Sequence, residues 1–328
     1  MSTEEKLEQL VENFSYYDFI DLLAEIDLHP NLSGRGQQLL FNIMKMTNDN
    51  YLVDGVPSTL GHMLLENKLI NKEKITPTIL FFFFEEQLEK IGVPKIPITF
   101  YGGNYDMCHI NYDESDAEEI DVNLNRFNKH QDVDSYNYEV MYSALHEIVH
   151  AYQHKCLEFS NDDKENLTAQ NYANGGDFIK NFMGNSTEHN SVIHDSLVFE
   201  IEADNNSMLY MIQIAQKNPE YFNRQLLNEK VKSYKERLDY QHNVESPYNP
   251  YNRFEWLISY VEKELKDLLT DEHTKKLDQI RTKNQNCKMI DNDLCSIDYN
   301  IFLKQYYTFD GEKLITSEEP ISKISKGI

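Results

Sequence analysis

Fourteen consecutive residues constrain this chain more than any others: Met141 to His154, reading Met-Tyr-Ser-Ala-Leu-His-Glu-Ile-Val-His-Ala-Tyr-Gln-His. Nothing in the stretch breaks a helix. His146 and His150 are four apart, so on a helix they stand one turn apart on one face, where two imidazoles can converge on one metal ion. A neutral imidazole is a good zinc ligand, and a glutamate beside the first histidine can serve as general base towards water activated by the metal. Glu147 occupies that place. Leu145, Ile148 and Val149 are apolar, as expected if the rest of the helix is buried.

A catalytic zinc takes three protein ligands and keeps one position for water, so a third ligand must come from elsewhere. The run Phe199-Glu200-Ile201-Glu202-Ala203-Asp204 lies in a second helix-like segment, expected from about Ser191 to Gln216. Glu200 and Glu202 are about 200° apart around a helix, so only one of them can face the metal. His154 continues the histidine row but lies roughly 12 Å along the axis from His146, too far for the same ion. It is expected at the rim or in the core. His189 and His194, just upstream of Glu200, remain candidates.

His146-Glu147-x-x-His150 followed by Glu200-x-x-Ala203-Asp204 resembles the motif pair of the gluzincin metallopeptidases, closest to HtpX-like and soluble IrrE/ImmA-like catalytic domains. The resemblance implies one Zn²⁺ per chain on His146, His150 and Glu200. It implies Asp204, one turn later, as a carboxylate hydrogen-bonded to a ligand histidine, a contact that fixes tautomer and ring orientation. It further implies Glu147 as general base in the hydrolysis of a protein or peptide substrate. The alternative is a zincin-fold regulatory or sensing protein that binds zinc and a partner with little turnover. Members usually add a Tyr, His or Arg to stabilise the oxyanion, and Tyr152, Tyr172 and Tyr210 are the tyrosines close in sequence to the motifs.

Composition narrows the partners. Thirty-one Lys and Arg against 55 Asp and Glu give a formal net charge of −24, which argues against nucleic acid or an anionic membrane surface. The longest apolar run, Ile79 to Phe84, stops at Glu85-Glu86, far short of a membrane span. That departs from the membrane-embedded gluzincins and favours the soluble type. Met1-Ser-Thr-Glu-Glu-Lys lacks the basic and apolar regions of a secretory leader, so a cytoplasmic setting is expected. Cys108, Cys156, Cys287 and Cys295 form no C-x-x-C pair, consistent with reduced thiols. A Cys287–Cys295 bridge is the less favoured alternative.

The expected fold is α+β and predominantly helical, with a zincin-like catalytic core. Residues 1–93 read as a helical region. Leu7, Leu10, Val11 and Phe14 mark a first helix, Ser15-x-x-Asp18 opens a second ended by Pro30, and Gln37–Met46 and Ser58–Ile70 suggest two more. Thr76-Pro77 starts a helix whose four consecutive phenylalanines cover every side, placing it in the core up to Gly92. Residues 94–217 read as the metallopeptidase core. Strands are expected at Ile96–Tyr101, Met107–Tyr112 and Ile120–Leu124, with a turn at Gly102–Asn104 and an acidic loop at Asp113–Glu119. By the same resemblance, Ile120–Asn125 is the candidate edge strand for an extended peptide. Glu158–Asn190, rich in Asn, Asp, Gly and Ser, reads as a long loop in which Gly175-Gly176 could hinge a lid. Residues 218–328 read as a C-terminal helical region and tail: Tyr221–Tyr240, Tyr251–Leu269 with Trp256, then weak periodicity from Thr282. Phe302, Tyr306 and Tyr307 are candidates to dock the tail, and Glu318–Ile328 is expected to fray.

Overall fold

The computed structural model describes residues 1–13, 65–94, 96–101, 107–112, 117–123, 132–160, 163–183, 187–243, 250–287, 299–310 and 313–318, with scattered single positions between 18 and 43. The helices expected at Ser15–Pro30 and Gln37–Met46, most of Ser58–Ile70, the turn at Gly102–Asn104, Cys295 and the end of the chain lie outside the described residues. Two compact units emerge from the packing: Met1–Ile148 with Asn218–Asn223, and Val149–Lys217 with Arg224–Ile328. Among the described residues no helix is long and apolar enough to cross a membrane.

In the first unit, α1 (Thr3–Glu12) starts at a capping box in which the Ser2 hydroxyl accepts from the Glu5 N–H and the Glu5 carboxylate accepts from the Ser2 N–H. Leu7 and Leu10 are buried, while Val11, expected on the same stripe, is exposed. Helix α2 (Pro77–Lys90) begins as expected, with Thr76 as cap and Pro77 in the first turn. Phe81, Phe82, Phe83 and Phe84 are all buried. The helix ends at Gly92, whose φ of 71° is the left-handed conformation a side chain disfavours. There the N–H of Gly92 reaches the Glu89 carbonyl and that of Val93 the Leu88 carbonyl, closing a Schellman motif over two buried side chains.

Strands β1 (Ile98–Tyr101), β2 (Met107–Tyr112) and β3 (Ala117–Asn123) form a mixed sheet in the order β1-β3-β2. β3 is parallel to β1, with Ile98 opposite Ile120, and antiparallel to β2, with His109 opposite Ile120. Two expectations need correcting. The acidic stretch is already strand from Ala117, and Ile120–Asn125 is not an edge, since β3 is paired on both sides. Ile120 and Val122 face the core with no exposed surface, and a strand with both rows of backbone groups taken has none to offer a peptide.

Helix α3 (Val133–Glu158) follows, its start near the expected Ser135. Asp132 caps it by accepting from the Ser135 N–H at 3.0 Å. Its first turns are pinned to the segment before α2. Asn137 accepts from the Ile75 N–H at 2.8 Å and donates to the Glu73 carbonyl at 2.9 Å, while the Tyr136 hydroxyl donates to the Ile75 carbonyl. Lys72, itself at a left-handed φ of 57°, donates to the Asp134 carboxylate and to the carbonyls of Glu220 and Tyr221.

The second unit is helical with a small sheet. The stretch Glu158–Asn190 is not a long loop: it holds α4 (Asp163–Phe182) and the start of α5 (Thr187–Ser196), and Gly175-Gly176 lies mid-helix, so it hinges nothing. The segment expected as one helix from Ser191 to Gln216 is two, because Leu197 interrupts it before α6 (Val198–Lys217). Then come α7 (Arg224–Asn243), α8 (Pro250–Glu264), a 3₁₀ turn (Lys266–Leu268) and α9 (Asp271–Cys287), which runs on past Thr282, where weak periodicity was expected to begin the tail. Phe178, Phe199, Phe254, Ile258 and Leu277 bring α4, α6, α8 and α9 into one apolar core, with Trp256 packed against it. Asp177 on α4 is bridged by Lys276 and Lys283 of α9.

The tail is more ordered than expected. β4 (Tyr299–Asn300), β5 (Gln305–Asp310) and β6 (Lys313–Ser317) make an antiparallel sheet in chain order. Phe302 docks as expected, stacked on Tyr210 of α6 with ring centroids 4.8 Å apart. Asn300 donates to the Asn206 carbonyl on the same helix, and the Asn206 side chain accepts from the Ile301 N–H.

Candidate metal centre

Helix α3 presents His146, His150 and Gln153 within about 60° of one another, with Glu147 about 100° round from His146, while Leu145, Ile148 and Val149 are fully or almost fully buried. Glu200 sits in the first turn of α6, where the exposed N–H groups of the helix end favour a carboxylate. One ligand atom from each of His146, His150 and Glu200 falls within 4.8 Å of the others, and this is the one such group of three or more among the described residues. His150 Nε2 and Glu200 Oε2 are 3.4 Å apart, and both side chains are under 10% exposed. Two ligands about 2.0–2.2 Å from one tetrahedral zinc stand roughly 3.3–3.6 Å apart, so this pair already has the required spacing. Two imidazoles and a carboxylate are also the donor types zinc takes, and the group could hold a metal ion.

One supporting contact goes beyond the expectation. Gln153, one turn beyond His150, places Oε1 2.8 Å from His150 Nδ1. Its orientation is fixed, because Nε2 donates to the Phe199 carbonyl at 3.0 Å and to Glu202 at 3.3 Å. Oε1 is therefore an acceptor, so Nδ1 of His150 carries a proton, which leaves Nε2, the nitrogen facing Glu200, as the one available to a metal. Asp204 is the carboxylate that the resemblance implies on a ligand histidine. It is half-buried one turn after Glu200. Glu202, the rival ligand, is instead the group that braces Gln153. The clue to Gln153 was its i, i+3 spacing from His150 on the ligand face.

Replacing Gln153 with leucine keeps the bulk and removes the acceptor. The expected result is zinc affinity lower by about 10–100-fold, measured by competition with a chromophoric chelator. Gln153→Glu keeps the acceptor but sets an oxygen against the Phe199 carbonyl and Glu202, so it is not expected to restore the affinity.

Of the other candidates, His154 is buried and packs edge-on against Tyr172 at 6.2 Å, a core residue outside the ligand group. His194 lies at the end of α5 with Nε2 3.1 Å from Glu200 Oε1 and Nδ1 3.3 Å from Asp195. Its bond to Glu200 pushes the imidazole pKa up to about 9, with burial working the other way. Nothing is described of the side chain of His189. The tyrosines are placed less usefully. Tyr152 is on the far side of α3, its hydroxyl 3.5 Å from Glu165 and its ionisation suppressed by burial beside Cys156. Tyr210 lies ten residues beyond Glu200, about 15 Å along α6. Cys156 is a free, buried thiol with its pKa pushed up to about 12, chiefly by burial, and is chemically quiet.

Phe199, next to Glu200, sets the floor of the centre. Its ring meets those of His150 at 5.4 Å and Tyr172 at 5.3 Å. It fits because residue 175 on α4 is glycine: a Cβ there would overlap the Phe199 ring, whereas one on Gly176 would meet nothing. Compared with family models, with curated proteins and with solved structures, the chain finds no match.

Proposed function

We propose that the chain is a zinc-dependent metallopeptidase with a zincin-like core, holding its metal on His146, His150 and Glu200. The observation that carries this reading is the convergence of those three side chains, from two separate helices, with Glu147 directly beside His146 and under 10% exposed. Zinc bound there supplies a Lewis acid that acidifies water and polarises a carbonyl oxygen. The chain's own residues do the rest. Glu147 takes a proton from the attacking water and hands it to the nitrogen of the departing amine. His150, held as the Nδ1–H tautomer by Gln153, offers Nε2 to the metal without reorganising. Phe199 and Tyr172 put apolar surface beside the ligands, which strengthens electrostatic interactions there. Asp204 is the proposed partner of His146, since the corresponding place on His150 is taken. The substrate class is a peptide bond in a protein or peptide, and a cytoplasmic enzyme fits the composition.

The test is metal analysis of the purified wild type beside Glu200→Ala. About one zinc per chain is expected in the wild type, and little in the variant. Equal zinc in both would move the third ligand away from Glu200. No metal in either, after incubation with zinc, would sink the metallopeptidase reading.

A further inference from the structure

The break at Leu197 has a geometric effect on the centre. In an unbroken helix, residues 194 and 200 would lie about 9 Å apart along the axis and roughly 240° apart around it, with no contact. Here α5 closes through the Leu197 N–H on the His194 carbonyl at 3.0 Å, and α6 opens through the Ile201 N–H on the Leu197 carbonyl at 3.1 Å. Leu197 itself is fully buried, which anchors the corner. The corner folds His194 back until Nε2 stands 3.1 Å from Glu200 Oε1, while Asp195 meets the other ring nitrogen at 3.3 Å. The two oxygens of Glu200 thus face different histidines, Oε2 towards His150 and Oε1 towards His194. His194 stands outside the ligand group itself.

We infer that His194 is a positioning residue for this centre: it holds Oε1 of Glu200 so that the carboxylate binds metal through Oε2 alone, leaving one coordination position open. The inference rests on the metal-site reading above. A carboxylate with both oxygens at liberty can chelate an ion, and the second oxygen then takes the position a water needs. A hydrogen bond to the second oxygen prevents this and raises metal affinity, as outer contacts to ligands generally do. The His194 side chain is 45% exposed, so its removal opens no hole in the core.

The experiment uses the full chain, with wild type, His194→Ala and His194→Gln checked for equal thermal midpoints. Zinc affinity is measured by chelator competition, and the visible spectrum is recorded after loading with cobalt(II). His194→Ala is expected to weaken zinc by about 10–100-fold and to lower the intensity of the cobalt bands, as a tetrahedral ion gains a fifth ligand. His194→Gln, whose amide N–H can still donate to Oε1, is expected to restore most of the affinity and the spectrum. Unchanged affinity and spectrum in His194→Ala would overturn the inference while leaving the metal site intact. Equal losses in both variants, with one nitrogen fewer around zinc by X-ray absorption, would make His194 a ligand and also overturn it. A wild type that takes up neither zinc nor cobalt would overturn the metal site, and this inference with it.

Discussion

Glu147→Gln is expected to lower peptide hydrolysis by about 10²–10⁴-fold while the zinc content stays that of the wild type. The substitution keeps the size and the hydrogen-bonding outline of the side chain and removes only its capacity to accept a proton. Glu147 is buried and is not among the three ligands, so neither packing nor metal binding gives a reason for loss. The assay is digestion of casein and of a mixed peptide library, read by mass spectrometry, with metal content measured on the same samples. If the wild type carries zinc but cleaves nothing above the Gln variant, turnover is not its role. The reading then passes to a protein that binds zinc and a partner. If the variant loses its zinc, Glu147 belongs to the metal site rather than to proton transfer.

The second large effect is expected on α4, away from the ligands. Gly175→Ala puts a methyl group into the Phe199 ring, and the ring cannot withdraw freely because Tyr172 and His150 flank it. Overpacking of this kind costs roughly 1–3 kcal/mol, and the displaced Phe199 drags the adjoining Glu200 with it. Both a lower denaturation midpoint and weaker zinc binding should therefore appear together. Gly176→Ala is the matched control. It is exposed with open space around its Cβ, so only helix propensity acts, and a gain of about 0.5–1 kcal/mol is expected. Chemical denaturation of the two variants side by side checks this. Equal behaviour would mean that Phe199 is not fixed by the glycine.

How much of this was readable beforehand follows from how local each feature is. His146, Glu147 and His150 share one turn of one helix, so spacing alone sufficed. The Phe81–Phe84 helix and its glycine stop were equally plain, being properties of adjacent residues. Helix α4 was hidden because its buried stripe runs Leu167, Asn171, Asn174, Gly175, Phe178, Phe182. The spacing is helical, but two amides and a glycine interrupt the apolar pattern and imitate a loop. The middle place of β3 is not legible because chain order carries no record of spatial order: the last of these three strands in sequence is paired on both sides. Gln153 and His194 depend on contacts with the start of α6, settled only by the corner at Leu197. The C-terminal sheet announced itself only through Asp310-Gly311 between short β-prone runs.

The bond from Asn300 back to Asn206 spans 94 residues of chain. Synthesis at about 5–20 residues per second separates those two positions by roughly 5–20 s. For that interval the helix bearing Glu200 exists without the strand that satisfies its buried amide, and an unsatisfied buried group of this kind is costly. The middle of α6 thus reaches its final packing only after β4 has been made.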